Sequence, residues 1–96
     1  MKLLLSDRAR EDLHQIFRYG AERWSRARAE TYQRSLRASL IFCTQFPGAG
    51  EVRITTSDGD IGVLMSESHA IYYRVEEGNL RVIRILHQSQ DGKRHL

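Results

Sequence analysis

The chain is short of several residue types, and each shortage removes a class of function. Its 96 residues contain one cysteine, Cys43, and one proline, Pro47. A single cysteine cannot close an internal disulfide and supplies no second thiolate for a zinc pair of the usual spacing, which fits a reducing cytoplasm. The longest apolar run near the start, Leu3 to Leu5, is followed at once by Asp7, Arg8, Arg10, Glu11 and Asp12, so neither an export signal nor a membrane span is expected there. Gly48-Ala49-Gly50 is not followed by the lysine and helix start that a phosphate cradle needs, which argues against nucleotide binding.

Lysine is scarce as well. Of the 15 basic residues only Lys2 and Lys93 are lysine, and the other 13 are arginine; the formal net charge is +3. Guanidinium is a planar fork that binds carboxylates and phosphates bidentately and stacks on aromatic rings, so this bias suits an acidic partner or nucleic acid. Composition is otherwise that of an ordinary folded domain, 41% hydrophobic and 28% charged. A chain of this length can bury one modest core, so residues 1–96 are read as a single domain.

Local patterning gives the order of elements. Lys2 to Leu5 reads as an edge strand, and Ser6 as the cap of a first helix with Asp7 at the positive end of its dipole. Ala9, Leu13, Ile16, Phe17, Gly20 and Trp24 recur at three- and four-residue spacing, the signature of an amphipathic helix. Ser25 caps a second helix whose buried stripe would be Ala29, Tyr32, Leu36, Leu40, Cys43 and Phe46, ended by Pro47-Gly48. So short a junction makes an antiparallel helical hairpin.

Gly48 to Asp60 reads as a loop, with a short extended piece at Val52 to Thr55. Three β-rich runs follow, Ile61–Met65, Ala70–Val75 and Leu80–Leu86, and Glu76-Glu77-Gly78-Asn79 supplies a turn between the last two. In the last run strict alternation would put Leu80, Val82 and Leu86 on one face and Ile83 and Ile85 on the other, so the strand is expected to be central. The fold class is α+β, an N-terminal strand and a helical hairpin packed on a small antiparallel sheet.

Few residues suggest chemistry. His87 ends the last strand with Asp91 four residues on, and it can be read as a general acid–base group or as a hydrogen-bonded structural histidine. His14, His69 and His95 are scattered without ligand spacing, so no metal is expected, and Cys43 falls on a buried helical stripe. Ser89 beside His87 and Asp91 has the residue types of a hydrolytic triad but no nucleophile elbow. Arg74, Arg81 and Arg84, with Tyr72 and Tyr73 beside Arg74 and with Lys93 and Arg94 in the tail, form the strongest lead. Arginine with tyrosine serves a phosphate backbone or a protein interface equally well, and Arg84 also suits a structural pairing with a carboxylate.

The segments LSDRAREDLHQIFRYGAERW, FPGAG and SHAIYYRVEEGNLRVIRILHQSQD resemble, in order and spacing, the ParE-type toxins of the RelE/ParE superfamily. The Leu-Ser start before the first helix, the Phe-Pro break, Tyr73-Arg74-Val75, and Ile85-Leu86-His87 followed by Asp91 carry the likeness. The resemblance implies a toxin that inhibits DNA gyrase by binding, without catalytic residues or cofactor, and that is silenced by a ParD-like antitoxin. Target contacts would fall at Arg74, Arg81, Arg84, His87, Asp91 and Arg94, and antitoxin contacts at Phe17, Trp24 and Tyr73. Relatives on the RelE branch cut messenger RNA with basic and acid–base side chains, and the tail KRHL is poor in such groups. The chain departs from the ParE pattern at Gly62, Ser89 and Gln90, where many members carry arginine.

Overall fold

A computed structural model describes residues 1–96. The order of elements is β1 (Lys2–Leu5), α1 (Asp7–Arg23), α2 (Arg26–Gln45), β2 (Glu51–Thr56), β3 (Gly59–Ser66), β4 (His69–Glu76), β5 (Asn79–His87) and a single turn, α3 (Gly92–His95). Both predicted serine caps are in place. Ser6 Oγ accepts from Ala9 N–H at 3.0 Å and Ser25 Oγ from Arg28 N–H at 3.1 Å, each satisfying a donor that a helix start leaves free. Ser6 also donates to the Ile83 carbonyl at 2.7 Å, so the same residue starts α1 and ties it to β5.

The five strands form one sheet in the order β1-β5-β4-β3-β2. Strands β2 to β5 are an antiparallel meander, and Glu77 and Gly78, both with positive φ, make the two-residue turn between β4 and β5. Two expectations are corrected. The segment read as loop is a full strand, β2, whose polar residues are tolerated because it is an outer strand with most side chains exposed. The sheet is mixed rather than antiparallel, since β1 pairs parallel to β5 from Lys2↔Asn79 to Leu5↔Val82, as the long α1–α2 and meander connection permits.

Strand β5 is central, but its alternation is broken. Tyr73 faces Val82 while Tyr72 faces Arg84, which leaves Ile83 as an extra residue in a bulge. Leu80, Val82 and Ile85 therefore share the helix-covered face with Ile71 and Tyr73, and Leu86 falls on the opposite face with Ala70 and Tyr72. The expected grouping of Leu86 with Val82 fails for this reason.

The helical hairpin covers one face, burying Ala9, Leu36, Leu40 and Cys43 against Ile71, Leu80, Val82 and Ile85. Gly20 and Ala29 allow the two helices to approach at the tip, where a Cβ on Gly20 would stand 3.4 Å from that of Ala29. Trp24 and Phe46, predicted on buried stripes, instead end their helices exposed at 57% and 56%. The opposite face carries a smaller cluster of Ile61, Val63, Ala70, Tyr72 and Leu86, with Gly92 of α3 lying on the Tyr72 ring.

Candidate functional site

Two regions carry the chemistry. The first is a cleft of about 610 Å³ between the hairpin tip and the far ends of β4 and β5, lined among others by Tyr19, Trp24, Tyr32, His69, His87 and Gln90. His69 and His87 are directly opposed across the sheet with ring centroids 5.4 Å apart. Tyr32 Oη accepts from Ser68 N–H at 2.9 Å and lies 2.6 Å from His69 Nδ1. His87 Nδ1 accepts from the Ser89 N–H at 3.1 Å and meets Ser89 Oγ at 2.8 Å, while Gln90 Oε1 accepts from His87 N–H at 2.9 Å. Burial, reinforced by the neighbouring His87, lowers the His69 pKa to about 4, so this imidazole is neutral at physiological pH.

The floor at one end of the cleft is an ion pair. Past Leu5, strand β1 no longer covers the edge of β5, and Asp12 of α1 takes its place by accepting from Ile85 N–H at 2.9 Å. Arg84 grips the same carboxylate through Nε and Nη2, both at 2.9 Å, and donates from Nη1 to the His95 carbonyl at 2.9 Å. The two side chains are only 12% and 11% exposed. The Asp12 hydrogen bond raises the Arg84 pKa still further, so the charge is permanent.

The second region is the sheet face away from the helices. Arg74 and Arg81 are directly opposed on β4 and β5 and share one carboxylate, Glu76, at 3.2 and 3.0 Å. Hydrogen bonding from Arg74, and then Arg81, holds the Glu76 carboxyl below the usual range. One acid for two guanidiniums leaves local positive charge, with Arg81 44% exposed. Beyond β5, Asp91 caps α3 by accepting from Lys93 N–H at 3.1 Å, and Lys93 and Arg94 are exposed on it.

The residues singled out from sequence are thus not one site. Arg74 and Arg81 lie near the β4–β5 turn, and His87, Asp91 and Arg94 lie at the other end of β5, six residues or roughly 20 Å from Arg81. Arg84 is withdrawn into its ion pair, the structural pairing that its residue type allowed. Among the expected antitoxin contacts, Trp24 lines the cleft, and Phe17 is half-buried in a shallow groove between the outer sides of α1 and α2. Tyr73 is corrected. It is 2% exposed, and its hydroxyl donates to the Pro47 carbonyl at 2.7 Å and accepts from Gly50 N–H at 2.9 Å, so it fastens the end of α2 to the core.

Sequence reasoning missed Asp12, Tyr32 and His69. The turn at Glu77-Gly78 alone would set His69 against Leu86, and only the bulge shifts the register to His87. A Cβ at Gly62 would stand 3.0 Å from the Tyr73 ring lying across it, and Ser89 and Gln90 both brace His87.

Fold and site together define a small basic domain of the β-α-α-β-β-β-β order, with a cleft at the hairpin tip and arginines on the open sheet face. The family model described as the ParE toxin of the parDE type II toxin–antitoxin system matches residues 3–92. The chain is 36% identical over 92 residues to "Toxin ParE1" of Caulobacter vibrioides, covering 96% of this chain and 94% of that protein. It is 33% identical over 96 residues to "Toxin ParE1" of Mycobacterium tuberculosis, covering 99% and 97%. Among solved structures, a chain of the "Chromosomal ParDE TA system from P. aeruginosa" shares the fold with a TM-score of 0.77 at 18% identity, over 91% of this chain and 95% of that one. The chain belongs to the ParE toxin family and is the toxin component of a type II toxin–antitoxin system.

Proposed function

We propose that this toxin acts in the cytoplasm by binding DNA gyrase and arresting it, and that a ParD-like antitoxin silences it by docking over the hairpin and the cleft. The observation that supports binding over catalysis is the separation of the charged groups. Of the arginines on the strands, Arg74 and Arg81 lie roughly 20 Å from His87, and only the exposed Lys93 and Arg94 of the short α3 turn share its end of the sheet. The nearer guanidinium, Arg84, is occupied by Asp12 and the His95 carbonyl, and His87 Nδ1 is occupied by Ser89. An RNA-cleaving site needs a guanidinium and an acid–base group at one phosphate. Target contact is assigned to the exposed basic groups, Arg81 and the α3 residue Arg94, with His87 and Asp91 between them.

Exposed Tyr19 and Trp24 at the cleft mouth suit the apolar side chains of a partner segment, and the net positive charge suits an acidic one. Purified toxin freed of antitoxin is expected to abolish supercoiling in a gyrase assay or to accumulate cleaved DNA. Normal supercoiling together with cut messenger RNA on ribosomes would replace this reading with the RelE-type activity.

A further inference from the structure

The C-terminal turn α3 makes few contacts of its own, being four residues long with most of its side chains exposed. Its attachments are few and specific: Gly92 lies against the Tyr72 ring, the Arg94 N–H donates to the Asp91 carbonyl at 3.1 Å, and Arg84 Nη1 donates to the His95 carbonyl at 2.9 Å. Gly92 seats the start of the turn on β4, and the Arg84 bond fixes its other end. Arg84 does this with the donor left over from its bidentate grip on Asp12, and that grip orients the guanidinium plane. Asp12 is itself held by the Ile85 N–H. A chain of four hydrogen bonds therefore runs from helix α1 through the open edge of β5 to the end of the tail.

We propose that Arg84 is the positioning residue of the toxin's C-terminal turn, aimed by Asp12, and that the turn presents Arg94 to the target only while this latch is closed. The presentation half rests on the binding reading above; the latch itself rests on the geometry alone. Arginine is required because one group must meet two carboxylate oxygens and a carbonyl in a single plane, which the three tetrahedral donors of lysine cannot do. Both latch residues also line the cleft, so the turn is anchored from the surface assigned to the antitoxin.

The test uses the full chain and two variants, Arg84→Lys and Asp12→Asn, with backbone ¹⁵N relaxation as the readout. In the wild type the amides of Arg94 and His95 are expected to be ordered, with order parameters near ~0.85, and in both variants they are expected to fall below ~0.6 while those of Ile71 and Leu80 keep their values. Unchanged order at Arg94 and His95 in a folded Arg84→Lys protein overturns the latch. Supercoiling inhibition measured on the same samples is expected to drop about tenfold, the equivalent of one lost charged hydrogen bond. A mobile turn with full inhibition leaves the latch standing and overturns the role of Arg94 in target contact.

Discussion

The two faces of the sheet are built from the same strands and differ in almost everything else. Under the helices the alternate residues Ile71, Tyr73, Leu80, Val82 and Ile85 meet Leu36, Leu40 and Cys43 in a closed core. On the other side the smaller cluster around Tyr72 and Leu86 ends, toward the β4–β5 turn, in Arg74, Glu76 and Arg81. The hairpin face holds the larger core, and the open face carries its charge at the β4–β5 turn, away from its smaller buried cluster. The bulge at Ile83 divides the residues between these tasks, since it moves Leu86 out of the main core and sets His87 beside His69.

The most direct way to break the comparison is to hollow out each face in turn. Leu80→Ala, at a position with no exposure, is expected to cost about 3–4 kcal/mol, and Leu86→Ala about 2 kcal/mol because the open face can collapse around the gap. Equal losses in urea melts of the two variants would erase the distinction. Placing an arginine by Gly62→Arg forces a side chain against the Tyr73 ring, and is expected to destabilise by about 1–2 kcal/mol without increasing toxicity. Gel-filtered protein melted thermally, with a growth assay beside it, checks both parts.

The cleft edge of the helix face responds to acid. The unfolded His69 takes a proton near its ordinary 6.5, while the folded one refuses it until about 4. Stability is therefore lost as pH falls from 6.5 toward 4 and the loss levels off below. Because the ring is only half-buried, solvent screening limits this to about 1 kcal/mol or less. His69→Gln is expected to lose less melting temperature than the wild type between pH 7 and 4.5. The smallest stability effect belongs to the open face, where Arg81→Ala is expected to shift unfolding by less than about 0.5 kcal/mol yet weaken target binding, a split that a melt and a supercoiling titration read separately.

Helices, caps, the tight hairpin and the turn at Glu77-Gly78 were legible because each depends on spacing or on a residue a few positions away. The parallel pairing of β1 and the ion pair of Asp12 with Arg84 were not, since they join residues 77 and 72 apart in the chain, and β2 was missed because its side chains are mostly polar and exposed. Asp12 reads locally as one more acid on an exposed helix start. The family likeness at Ile85-Leu86-His87 and Asp91 marked the right stretch of chain, but the bulge, which no local signal announces, decides that His87 faces a histidine and that Arg84 reaches the edge. Tyr73 misled for a similar reason: its partners Pro47 and Gly50 lie 26 and 23 residues away.

Strand β5, which joins β1 to the meander, is the last strand of the sheet to be made. Until Asn79–His87 has emerged from the ribosome, β1 has no neighbour, Ser6 no Ile83 carbonyl and Asp12 no arginine, so the nascent chain cannot assemble its fold piecemeal from the N-terminus. Synthesis itself thus withholds the finished sheet until β5 has been made.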